Sequence, residues 1–130
     1  MKYDIYISAL LLSTLIFTGC EKAETGRSFD SIVNYKLRVD TNLAFSIDSV
    51  KDYRCPSDVI CIWAGDVDIH IRFYKTLSHI DTIMNLYNPE KNHIRVGGYT
   101  FKVNEVNPIP LSNKIIPQKD FRVNMTITKD

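Results

Sequence analysis

The stretch DVDIHIRFYK, residues 66–75, decides the fold class. Val67, Ile69, Ile71 and Phe73 fall on one side of an extended chain, and Asp68, His70, Arg72 and Tyr74 on the other. That period of two describes an antiparallel strand with one buried and one wet face. Residues 79–87 are its expected partner, stopped by Asn88-Pro89-Glu90. Further along, Gly97-Gly98 has the form of a two-residue hairpin turn. With those glycines at the centre, Val96 meets Tyr99 and Ile94 meets Phe101 on one face, while Arg95 meets Thr100 and His93 meets Lys102 on the other. Upstream, residues 35–39 and 43–50 read as strands around the turn Asp40-Thr41-Asn42, with Phe45 and Ile47 alternating with Ser46 and Asp48. Residues 31–35 admit a helical turn, but no stretch sustains a helical apolar period. At the C-terminal side, Phe121, Val123, Met125 and Ile127 point inward from a closing strand. Pro108, Pro110 and Pro117 bar residues 107–120 from a central strand, so that segment is expected to cross from one sheet to another. Six or seven short strands make an all-β domain. The expected form is a single antiparallel β-sandwich, of Ig-like or Greek-key type, or a small barrel.

The 130 residues leave room for one such domain of about 100 residues after a leader. A net charge of +1 with no basic stripe argues against a nucleic-acid partner. Lys2 is followed by a nearly unbroken apolar run, residues 5–17, and then by Thr18-Gly19-Cys20. The run is short of the roughly 20 residues a bilayer span needs and has the pattern of a secretory signal peptide. Small residues before a cysteine resemble the lipobox of bacterial lipoproteins, in which cleavage precedes the cysteine and its thiol is diacylated. The alternative is an ordinary secretory peptide beside an unrelated cysteine. The expected division is a signal peptide over 1–19, lipidated Cys20 with a flexible tether over 20–30, and the β-domain over 31–130. Its acyl chains would hold a monomeric domain at the cell envelope, on the outer membrane.

The chemistry-bearing stretch is DYRCPSDVICIWAGD, residues 52–66. Of three cysteines, lipidation takes Cys20, and an oxidising compartment favours pairing of Cys55 with Cys61. A redox pair would want a Cys-x-x-Cys at a helix start, which this loop does not offer. Trp63 beside the cystine is expected to pack in the core, with sugar stacking as the alternative. His70, His79 and His93 sit on separate strands, so no metal site and no cofactor are expected, nor any catalytic motif. The segment also resembles the Arg-Cys-Pro-x-x-Val-x-Cys-x-Trp-x-Gly signature of small lipoproteins of Gram-negative bacteria. Tyr53 stands where serine is common there, and Val106-Asn107-Pro108 before the last strand is similar too. The resemblance implies an architecture and an envelope location, and no particular activity.

The expected function is therefore a noncatalytic binding or accessory module, held at the membrane by its lipid and facing an envelope protein or glycan. Asp68, His70, Arg72 and Tyr74 form the candidate binding face, since they offer hydrogen bonds, a cation and an aromatic plate. The plain alternative is the ordinary wet face of an antiparallel sheet. A rival function is an envelope inhibitor of a protease or lysozyme, presenting residues 56–60 and 107–119. A second rival is a small hydrolase or metal-dependent enzyme. A protruding rigid loop would favour the inhibitor, and a polar cluster in a concave pocket the enzyme.

Overall fold

The computed structural model describes residues 21–130. Eight strands follow in order: β1 (Ser28–Ile32), β2 (Lys36–Arg38), β3 (Ala44–Asp52), β4 (Val67–Tyr74), β5 (His79–Asn85), β6 (His93–Val96), β7 (Tyr99–Asn107) and β8 (Arg122–Lys129). They form two four-stranded sheets, ordered β2-β3-β4-β5 and β1-β8-β7-β6. Every pairing within them is antiparallel. The sheets do not close into a barrel, so the sandwich is the architecture. The first sheet is a meander, each strand pairing with its neighbour in sequence. In the second, β6, β7 and β8 are a meander and β1 lies beside the last of them, which is Greek-key order with the other sheet as the long connection.

Alternation sets the core. β4 buries Val67, Ile69, Ile71 and Phe73, and β5 pairs with it from Asp68 opposite Asn85 to Tyr74 opposite His79. The Gly97-Gly98 hairpin pairs all four couples in the expected register, with φ of 61° and 83° at its glycines, which suits the turn and disfavours a side chain. Two β-bulges re-phase the pattern. Asp48 is the extra residue in β3, so the buried positions run Phe45, Ile47, Val50. Asn104 is the extra residue in β7, so they run Phe101, Val103, Val106. Between the sheets the ring of Phe101 meets those of Phe73 and Phe45 edge-on, with centroids 4.7 and 5.5 Å away. Core residues run from Ala23 to Ile127, so residues 21–130 carry both sheets and the described core.

Three expectations change. Residues 31–35 make no helical turn. They finish β1 and turn at Asn34, whose φ is 63°. Residues 107–120 do not cross between sheets, because β7 and β8 pair with each other and the proline-rich loop leaves and rejoins the same sheet. The expected tether is seated from Ala23 onward. Ala23 is buried with its N–H on the Arg38 carbonyl, and the Gly26 N–H reaches that of Ile127. The folded domain thus begins before residue 31. The signal peptide over 1–19 and Cys20 lie outside the described residues. Among the described residues no helix is long and apolar enough to cross a membrane.

The antiparallel course sorts the connections to two ends. Turns 40–42, 75–78 and 97–98 lie at one end, and loops 53–66, 86–92 and 108–121 at the other.

Candidate functional site

Loops 53–66 and 108–117 stand together at one end as a single tip, and named bonds build it. Arg54 is its clamp. Its Nε and Nη2 donate to both carboxylate oxygens of Asp52 at 2.9 and 2.6 Å. Nη1 and Nη2 also donate to the carbonyls of Val106 and Pro108 at 2.8 and 3.1 Å. Both charged side chains are only 8% exposed, so the pair is shielded from water and ties the first loop to the end of β7. Cys55 and Cys61 are bonded, with Cα atoms 5.8 Å apart. The loop's stem extends the β3–β4 ladder, with Tyr53 N–H on the Asp66 carbonyl and Cys55 N–H on that of Ala64. Gly65 crosses this stem at φ +69°, where a Cβ would lie 1.9 Å from the Tyr53 carbonyl oxygen. Only glycine fits there. Asp66 Oδ1 then accepts the N–H groups of Val67, Leu86 and Tyr87 at 2.7, 3.1 and 3.0 Å.

The second loop is fastened to the first. Ser57 N–H donates to the Pro110 carbonyl at 3.0 Å. The Asp58 carboxylate accepts the N–H and the hydroxyl of Ser112 at 2.9 and 2.6 Å, which holds its pKa below the usual carboxylate value. Residues 56–60 and 107–119, two separate candidates in the sequence, thereby become one structure.

Apolar side chains cover what these bonds hold up. Ile60 and Ile62 are almost wholly exposed, Trp63 is 70% exposed, and Ile115 stands out from the second loop. The expectation that Trp63 packs in the core is overturned. Its loop stands off the sandwich on a junction of Arg54, Asp52 and Asp66, while the space between the sheets is filled by Phe45, Phe73 and Phe101. Burying one such side chain is worth about 1.5–3 kcal/mol, and folding forgoes that gain at each of these positions. Single exposed apolar residues are ordinary, but here Ile60, Ile62, Trp63 and Ile115 all stand out from two loops that are bonded to each other. The sequence signal was the unbroken run Val59-Ile60-Cys61-Ile62-Trp63, which lacks a strand's alternation and lies across a cysteine ring too tight to be extended.

The face suggested by Asp68, His70, Arg72 and Tyr74 exists, with all four half-buried on the outer side of β4. Asp68, Arg72 and Tyr74 are already engaged by neighbouring strands, however. Arg72 Nε donates to Asp81 Oδ1 at 2.5 Å with Asp48 nearby at 3.6 Å, and it holds the Asp81 pKa below the usual value. Asp68 accepts from Asn85, and the hydroxyls of Tyr74 and Ser46 bond each other. This is the cross-strand wet face of a sheet. His79 lies 3.9 Å from Asp81, and His93 beside Asn92. No group of three His, Cys, Asp or Glu converges among the described residues.

The disulfide carries a prediction. Closing so short a ring contributes roughly 2–2.5 kcal/mol in the chain-entropy account. Native protein should show both thiols protected from alkylation, and reduction should lower the melting temperature. Two thiols that alkylate freely in folded, oxidised protein would contradict the pairing. In comparisons with known families, curated proteins and solved structures, nothing matches this chain.

Proposed function

We propose that this protein is a lipid-anchored envelope module that works by binding, without catalysis, and that the tip is its contact surface. The observation that carries the reading is the division of labour within residues 54–65. Arg54, Cys55, Cys61 and Gly65 each have a structural task, whereas Ile60, Ile62 and Trp63 touch water. The partner is an envelope protein with an apolar cleft rather than a glycan. A glycan site needs polar groups around the tryptophan, and Asp58, the carboxylate of the cysteine loop, is engaged by Ser112. The inhibitor reading has its own support, since the two loops brace each other as a protruding, pre-organised wedge would require.

Orientation follows from Glu21, which borders the cleft at the opposite end together with Asn42 and Thr76. A lipid on Cys20 would place that end at the membrane and the tip beyond the length of β3, roughly 30 Å away at about 3.3 Å per residue. Two measurements test the proposal. Acyl label should enter the wild type and not Cys20→Ser. A photo-crosslinker at Ile62 in the lipidated protein should join it to an envelope protein, while one at Thr41 should not. Unacylated wild type, or equal crosslinking at both positions, would sink it.

A further inference from the structure

The end of the sandwich opposite the tip holds an open cleft of about 660 Å³. One small residue makes it. Arg38, Ala44 and Tyr74 are direct cross-strand neighbours on β2, β3 and β4, and all three face outward. The Ala44 methyl between two long side chains leaves a trough. Lys36 and Lys75 stand beside it, with the Lys36 ammonium 3.8 Å from the centre of the Tyr74 ring. Two carboxylates also border the cleft and keep their charge, so the three cations leave its lining with a net charge of +1. Glu21 accepts the Tyr35 hydroxyl, and Asp40 accepts the Asn42 N–H at 2.7 Å. None of the ion pairs among the described residues involves Lys36, Arg38 or Lys75. The trough therefore presents three cations unmatched by salt bridges, beside an aromatic wall and the polar side chains of Asn42 and Thr76. A planar guanidinium flanked by ammonium groups suits a phosphate, and the hydroxyl and amide groups suit the polyol that carries it.

We propose that this cleft binds the phosphate headgroup of an anionic lipid in the membrane that holds the protein. The choice of a lipid rests on the lipoprotein reading, because Glu21, next in sequence to Cys20, borders the cleft. Leu77 points the same way. It is almost wholly exposed in the turn after β4, next in sequence to Thr76, and borders a second opening with Lys75. A lysine at the phosphate level with a leucine beyond it is the arrangement a membrane interface accommodates.

The test uses residues 21–130, which lack the anchor, in sedimentation with vesicles. The domain should bind phosphatidylcholine vesicles containing phosphatidylglycerol and not vesicles of phosphatidylcholine alone, and glycerol 3-phosphate should compete. Arg38→Ala and Lys75→Ala should each weaken binding about fivefold, the usual effect of one basic residue near an anionic surface. Ala44→Leu is the sharper variant, since it keeps every charge and fills the trough. It should abolish binding at an unchanged melting temperature. Wild-type binding by Ala44→Leu, equal binding to neutral vesicles, or no binding to either would overturn the proposal. Binding of glycerol 3-phosphate without vesicle binding would also overturn it, in favour of a soluble phosphate compound. The lipoprotein reading fails separately, through a Cys20 that takes no acyl label.

Discussion

Arg54→Ala should lower the stability of the domain by about 3–5 kcal/mol, the usual cost of breaking one side of a buried ion pair. The change leaves the Asp52 carboxylate, only 8% exposed, without its counter-charge. It also strips the carbonyls of Val106 and Pro108 of a donor. Lysine should not rescue it, because one ammonium cannot reproduce a fork that meets two carboxylate oxygens and two carbonyls together. Urea unfolding measures the loss. Because the clamp joins loop 53–66 to β7, Trp63 fluorescence in the folded variant should also report a rearranged tip. A loss below about 1 kcal/mol, the range of an exposed pair, would mean that the disulfide and Asp66 seat the loop without Arg54.

Phe101→Ala should be equally damaging for a different reason. Phe101 is wholly buried, and its ring meets Phe73 and Phe45 from the facing sheet at 4.7 and 5.5 Å. Removing such a ring leaves a cavity between two sheets that cannot collapse onto it, at a cost of about 3–5 kcal/mol. In a domain of this size that lowers the melting temperature by on the order of 20 °C. Phe101→Leu should recover most of the loss. A Phe101→Ala protein that melts within a few degrees of wild type would show that the aromatic cluster is not the centre of the core.

The contrast between Phe101 and Trp63 shows what was legible in the sequence. β4 and the Gly97-Gly98 hairpin could be read because alternation and turn chemistry are local, and in the hairpin the two agreed on one register. The disulfide partners were readable too, once Cys20 is set aside. Alternation stops being informative at Asp48 and Asn104, where an extra residue shifts the inward face and no side-chain pattern announces the bulge. The prolines of loop 107–120 showed that it is no strand, but its return to the same sheet is a long-range fact. Trp63 was misread because a large aromatic beside a cystine is usually buried. What keeps it out is the polar junction below it, and the Arg54 bonds to Val106 and Pro108 span more than fifty positions in the chain. Ala23 was missed because a short charged segment gives no sign that one small residue will dock against Arg38. On the candidate face, the types at Asp68, Arg72 and Tyr74 were right for binding, but their cross-strand partners claim them first.

Residues 52–66 form a scaffold that holds Trp63 out in water. Trp63→Ala separates that role from a structural one, read by thermal unfolding and by crosslinking through Ile62 in the same preparation. Because Trp63 is 70% exposed, stability should stay within about 0.5 kcal/mol of wild type, as for an ordinary surface change. Crosslinking to the envelope partner should be lost. A Trp63→Ala protein destabilised by about 3 kcal/mol, as a buried tryptophan would require, or one that crosslinks like the wild type, would contradict a contact role for an exposed Trp63.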